Sequence, residues 1–171
     1  MSVLAMTVRK RILGREHNDT QDSMAIVGLV YVLRGQYDAA EPLYQETPQL
    51  REKVHGKEHP ATLTSMNNLA LLLKSQGKYN TAEPLYRETL QLTEKALGKE
   101  HPDTLGSMNN LASLLQSQGK YDAAETLYRE TLQLREKVLG KEHPQTLTSI
   151  NNLALLLQSQ GKYDTAEAMH R

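Results

Sequence analysis

The chain has 171 residues, with 20 Lys and Arg against 20 Asp and Glu, so no global field draws it to nucleic acid or to an acidic membrane surface. It holds no Cys, which excludes disulfides, thiolate metal sites and thiol nucleophiles and fits a reducing compartment. Trp and Phe are absent too, so Leu, Ala, Met and eight Tyr must build the core.

The opening MSVLAMTVRK places its charges after a very short apolar stretch, the wrong order for a secretory signal. The longest apolar run, residues 24–33, is about half of a membrane span. These features predict a soluble, cytoplasmic chain with no membrane partner. VRKRILG at Val8 to Gly14 matches LREKVLG at Leu134 to Gly140, so residues 2–13 read as the end of a truncated preceding repeat. Four segments then recur at a spacing of 42: GREHNDT from Gly14, GKEHPAT from Gly56, GKEHPDT from Gly98 and GKEHPQT from Gly140. They set out a divergent repeat 1 (14–55), repeat 2 (56–97), repeat 3 (98–139) and a truncated repeat 4 (140–171). Repeats 2 and 3 differ at nine of 42 positions. Because the chain starts and stops inside repeats, we expect it to be a fragment of a longer array.

Each repeat predicts two helices. In the first, Leu63, Met66, Ala70 and Leu73 form one stripe at helical spacing, with Leu69 and Leu72 beside it. Pro60 fits the first helical position, where its missing N–H costs little, and Gly77 can close the helix in a left-handed conformation. The second helix opens each time on a capping signature: Asp38 with Glu41, Asn80 with Glu83, Asp122 with Glu125, Asp164 with Glu167. Ala82, Leu85, Tyr86, Thr89, Leu90 and Leu92 form its predicted buried face, and the helix is expected to run to about Leu97. In repeat 1, Pro48 replaces a leucine well inside this helix and should kink or shorten it. Pro42 and Pro84, in the first turn, are milder. One such pair cannot bury its own apolar face; stacked neighbours do so, which predicts an all-α solenoid.

The pattern Leu69-Ala70, Gly77, Tyr79, Ala82, Tyr86, Thr89 resembles the tetratricopeptide repeat (TPR). The 42-residue version, with HPDTL, NNLA, QGKYDAAE and LYRETLQL, is similar to the repeats of kinesin light chains and kinesin-light-chain-like proteins. Similar arrays form the sensor end of larger signalling ATPases. The resemblance covers essentially the whole chain and implies a right-handed superhelical solenoid of antiparallel helix pairs. It also implies that the first helix of each repeat lines a concave groove that takes a peptide or protein ligand. The groove positions then include Thr64, Asn67, Asn68, Leu71, Lys74 and Ser75 in repeat 2. Those carried into the candidate site are Asn67, Asn68, Leu71 and Lys74, then Asn109, Asn110, Ser113 and Gln116, then Asn151, Asn152, Leu155 and Gln158.

Asn is a mediocre helix residue, so three repeats with two adjacent ones invite a reason. An Asn amide both donates and accepts, and a series of them can pair with the backbone of an extended peptide. Asparagines at similar positions contact cargo peptides in the kinesin light chain family, and the resemblance implies the same here. The other reading is structural: one Asn of each pair bridges to the neighbouring repeat or satisfies an exposed helix end. Asn67, Asn109 and Asn151, four residues before Leu71, Ser113 and Leu155, are the better groove candidates. Repeat 1 has Ala25 and Ile26 instead, followed by Leu29, Val32 and Leu33. That surface is either a hydrophobic subsite or, as we favour, a contact for a preceding repeat.

His17, His59, His101 and His143 recur one repeat apart, too far for one metal ion; we read each as capping a first helix. Tyr79, Tyr121 and Tyr163 have no basic run beside them and are assigned to packing rather than to nucleic-acid stacking. Arg87-Glu88 and Arg129-Glu130 read as a solvated outer face. No Gly-rich phosphate loop or nucleophile constellation is present. The function expected is therefore that of a non-enzymatic peptide- or protein-binding scaffold, without cofactor or metal, as the adaptor or sensor region of a larger protein. The alternative is a structural spacer or self-assembly module that stacks end to end with further copies.

Overall fold

The structure, a computed structural model, describes residues 3–169. Among these there are nine α-helices: α1 Val3–Ile12, α2 Asn18–Leu33, α3 Tyr37–His55, α4 Pro60–Ser75, α5 Tyr79–Leu97, α6 Pro102–Ser117, α7 Tyr121–Leu139, α8 Pro144–Ser159 and α9 Tyr163–Ala168. The fold is all-α, built from sequential antiparallel helix pairs. The even-numbered helices are the first helix of each repeat and the odd-numbered ones the second.

The chain forms two compact units, Met1–Leu85 and Tyr86–Arg171, with the boundary inside α5. In the first unit α2 packs on α1 and α3, and α3 packs on α4. In the second, α6 packs on α7, α7 on α8 and α8 on α9, while α6 also touches α8. Within each unit, neighbouring helices thus pack on one another, which is how a repeat too small to bury its own face acquires a core.

Local chemistry starts each first helix in the same way. The Nδ1 of His17, His59, His101 and His143 accepts a hydrogen bond at 3.2 Å from the backbone amide two residues on, so all four histidines are N-caps. Thr62, Thr104 and Thr146, buried in the first turn, donate to the carbonyls of Gly56, Gly98 and Gly140 at 2.9, 2.7 and 2.8 Å. Gly77 ends α4 at φ 74°, which lets the Lys78 amide reach back to Leu73 O at 2.9 Å.

The second helices depart from the sequence reading at three points. Their start lies two residues earlier than the capping signature requires: α3, α7 and α9 open on Tyr, and their cap residues Gln36, Lys120 and Lys162 make no side-chain cap bond. Asp38 and Asp122 therefore sit in the first turn, where their charge still favours the helix dipole. Glu41 and Glu125, which should close the box, pair with lysines of the next repeat instead. Pro48 does not shorten α3, which has the same 19 residues as α7. Buried anchors on both sides of it, Tyr44 before and Arg51 after, hold the helix in place.

The third departure concerns the tyrosines. Tyr121 and Tyr163, at the first residue of their helices, are 37% and 68% exposed and are not core. The buried rings are Tyr44, Tyr86 and Tyr128, about two helical turns further on, each on a helix with a fully buried Ala40, Ala82 or Ala124 one turn before it. The first-helix stripe is buried as predicted, with Leu63, Met66, Ala70 and Leu73 at 6% exposure or less. Of the predicted second-helix face, Ala82, Tyr86 and Thr89 are fully buried, whereas Leu85, Leu90 and Leu92 are half-buried.

Candidate functional site

The predicted site residues fall on three first helices. Asn67, Asn68, Leu71 and Lys74 lie on α4 in the first unit; Asn67, Asn68 and Lys74 are half-buried, and Leu71 is 48% exposed. Burial lowers the Lys74 ammonium below its usual range. In the second unit, Asn109, Asn110, Ser113 and Gln116 on α6 are all half-buried. On α8, Asn151 and Gln158 are exposed, Asn152 is half-buried and Leu155 is 56% exposed.

Within the second unit these residues do two different jobs. The Asn152 Nδ2 donates to Asn109 Oδ1 at 2.9 Å, joining α8 to α6 across one repeat. Tyr128 donates its hydroxyl to Gln116 Oε1 at 3.3 Å, and Ser113 also bonds that hydroxyl. Burial nevertheless pushes the phenol up from its ordinary range, because desolvation outweighs the serine bond. Asn109, Ser113 and Gln116 thus spend part of their hydrogen-bonding capacity inside the fold. Asn151, Leu155 and Gln158, at helical positions i, i+4 and i+7, present one face of α8 to solvent.

The first unit carries an apolar counterpart. Ala25, Ile26, Leu29 and Val32 of α2, Tyr44 of α3, and Asn68, Leu71 and Leu72 of α4 enclose a pocket of about 200 Å³. Ile26 and Leu29 are 38% and 49% exposed at its rim. Gly28 stands where the other repeats have Ala70, Ala112 and Ala154, and the Tyr44 ring fills the vacated space: a Cβ there would lie 2.5 Å from Cε1.

Two recurring devices are not evident from the motifs alone. The first is a buried arginine late in the second helix. Arg51 Nη1 donates to Ala61 O at 3.0 Å and to Ser65 Oγ at 2.7 Å. Arg135 Nη1 repeats this with Gln145 O at 2.9 Å and Ser149 Oγ at 2.7 Å. Arg9 does so more openly with Asp19 O at 3.4 Å and Ser23 Oγ at 2.7 Å. Arg51 and Arg135 are only 7% and 5% exposed. Repeat 2 has Thr93 instead, whose hydroxyl returns to Thr89 O of its own helix at 2.7 Å. The signal in the sequence is an Arg followed by a Ser fourteen residues later, repeated at Arg9, Arg51 and Arg135.

The second device is an inter-repeat ion-pair series. Glu41 accepts from Gln76 at 2.8 Å and Lys78 at 2.9 Å; Glu125 accepts from Lys162 and Arg129, both at 2.9 Å. The Lys78 bond, with help from Gln76, holds Glu41 below the usual carboxylate range. Lys162, then Arg129 and Gln160, bring Glu125 down to about 2 against the opposing effect of burial. Within repeats 1 and 3, Lys53 pairs with Glu16 and Lys137 with Glu100 on the loop side. Among the described residues, no three His, Asp or Glu side chains converge to hold a metal ion, and no helix is long and apolar enough to cross a membrane.

The tetratricopeptide repeat family matches residues 21–95, 67–132 and 103–171. No curated protein matches the chain. Among solved structures, the chain is similar to the nearly identical TPR-like repeats of a Podosopora anserina protein assigned as a kinesin light chain. It is 27% identical there, with a TM-score of 0.81 over 97% of this chain and 79% of that one. A second crystal structure of those repeats, carrying a methionine substitution, gives 26% identity and a TM-score of 0.83 over 97% and 78%. BtubC (BKLC) from P. vanneervenii, 24% identical, shares the fold with a TM-score of 0.77 over 88% of this chain and 60% of that one.

Proposed function

We propose, from the premise that this chain belongs to the tetratricopeptide repeat family, that it is a peptide-binding scaffold which holds an extended segment against the first helices of its repeats. Repeats of this family generally mediate protein–protein interaction. The observation that carries the finer reading is the α8 face: exposed Asn151 and Gln158 flank Leu155, which leaves 56% of its surface in water. Exposed amides can pair with the N–H and C=O of a peptide backbone, and the leucine can take an apolar side chain. Asn109 keeps its NH2 donors for the same use, since Asn152 engages its oxygen. Asn67, Asn68 and Leu71 repeat these residue types on α4. Each amide bond contributes only about 1 kcal/mol net, so several must act together. The affinity expected is micromolar, about −8 kcal/mol. The mechanism involves no chemistry, and the kinesin-light-chain assignment of the Podosopora anserina repeats accords with an adaptor role.

A random peptide library screened against the parent chain and an Asn67, Asn109, Asn151→Ala variant tests this, with folding followed by circular dichroism. Peptides that bind the parent and not the folded variant support the reading. Binders indifferent to the substitution, or none, sink it.

A second reading has its own observation. Helix α1 buries no residue, and Val3, Leu4, Val8 and Ile12 are 46%, 72%, 45% and 73% exposed. Association of copies through this face would make the array an assembly module. Light scattering over a wide concentration range separates the two, because a strict monomer rules out assembly.

A further inference from the structure

Repeats 1 and 3 carry the same buried arginine with different surroundings. In repeat 1, Arg51 uses Nη1 for Ser65 and Ala61 and turns Nη2 to Asp22 Oδ1 at 2.6 Å. Asp22 lies on α2, with its side chain 62% exposed, so the carboxylate reaches the arginine from the solvent side. In repeat 3, 84 residues on, Arg135 makes the equivalent Nη1 bonds to Ser149 and Gln145. The residue equivalent to Asp22 is Gly106. A Cβ at Gly106 would meet nothing within 4 Å, so the place of the carboxylate is open. Arg135 is 5% exposed, its Nε is buried without a partner, and no charged group among the described residues acts on it as Asp22 acts on Arg51. The cation is therefore desolvated and uncompensated, and burial alone lowers its affinity for the proton.

We propose that Arg135, with the gap at Gly106, is a subsite for a carboxylate side chain, Asp or Glu, of a peptide bound along α6. The proposal rests on the peptide-binding reading above, and it adds the ligand's chemistry. Gly106 lies three and four residues before Asn109 and Asn110, on the same face of α6, so a peptide held by those amides passes over the gap. The incoming carboxylate takes the position that Asp22 takes in repeat 1. The chain itself thus displays the geometry of the bound state, a charge-assisted bond from a guanidinium already fixed by a carbonyl and a serine. A pre-fixed donor loses little freedom on binding, which favours an acidic residue at one defined position of the ligand.

Three variants of the full chain carry the test. Gly106→Asp restores the carboxylate of repeat 1, Gly106→Asn is its neutral isostere, and Gly106→Ala controls for helix propensity. At pH 7 the Asp form should melt above the Asn form by about 3 °C. Peptides selected on the parent should share an acidic residue whose exchange for the amide weakens binding about tenfold. On Gly106→Asp the same exchange should cost less than about twofold, because the site is already filled. An Asp form no more stable than the Asn form overturns the proposal, since Arg135 then accepts no carboxylate there. An acid-to-amide penalty equal in parent and Gly106→Asp overturns it as well. A parent chain that selects no peptide removes the peptide-binding reading and this ligand with it, while the melting comparison still decides separately whether Arg135 takes a carboxylate.

Discussion

The Asn152 side-chain amide donates to Asn109 Oδ1 at 2.9 Å, tying the second asparagine of one repeat to the first asparagine of the repeat before it. Two adjacent asparagines thus divide the work: Asn152 faces the neighbouring repeat and Asn151 remains on the α8 surface. The structural and the binding readings of the pair are not exclusive, because each amide has more donors and acceptors than one bond consumes.

This bond is neutral and half-buried, so its removal should be modest. Asn152→Ala should lower unfolding free energy by about 1 kcal/mol, read from urea midpoints at constant slope. Peptide affinity should change by less than about twofold, since the amides of Asn109 and Asn151 stay in place. A tenfold loss of binding would instead assign Asn152 to the ligand.

Two glycines inside helices should respond to alanine with opposite sign. Gly106 faces open space, and Gly106→Ala should stabilise the chain by about 0.5–1 kcal/mol through reduced backbone entropy in the unfolded state. At Gly28 the new methyl would lie 2.5 and 2.8 Å from Tyr44 Cε1 and Cδ1. Gly28→Ala must displace that buried ring and should destabilise by about 1–3 kcal/mol. Thermal melts of both variants check the contrast, and equal shifts would contradict the close approach of Tyr44.

The Glu41 and Glu125 carboxyls are depressed in the folded chain, so each adds stability that is present above the carboxylate's unfolded value and lost as pH falls through the folded one. For Glu125 the window runs from the ordinary glutamate range, about 4–5, down to about 2. Urea midpoints should therefore fall between pH 5 and pH 2, roughly the interval that linkage assigns to paired carboxylates. Glu125→Gln should flatten part of that fall and lower stability at pH 7. High salt should narrow the difference, because both partners are partly exposed. An acid limb unchanged by Glu125→Gln would mean that other groups set it.

Much of this was legible in the residues. The 42-residue period, the first-helix stripe and the histidine caps follow from local rules, because a helix chooses its apolar face and its cap within a few positions of sequence. The second-helix capping box fails for the same kind of reason in reverse. Asp38 and Glu41 have the right spacing, but spacing is silent on Lys78, which arrives from the next repeat and takes the glutamate. Intrinsic propensity overrates Pro48 because it counts only the helix itself. The chain's packing holds α3 by Tyr44 on one side and by Arg51 on the other. The helix-face reading places Tyr86 in the core, as found, but the repeat pattern overrates Tyr121 and Tyr163 as packing residues, since a ring at the first residue of a helix can project past the neighbouring helix.

The sequence by itself determined the helix pairs, their period and the residue types offered on each first helix, since those depend on periodicity and on caps a few residues away. Only the tertiary structure decided which of those residues are already spent. Asn109 meets Asn152, Gln116 meets Tyr128, and Arg51 meets Asp22 where Arg135 meets an empty place beside Gly106. These are encounters between side chains 12 to 43 residues apart, and the partner that satisfies a buried polar group is set by packing rather than by the spacing along the chain.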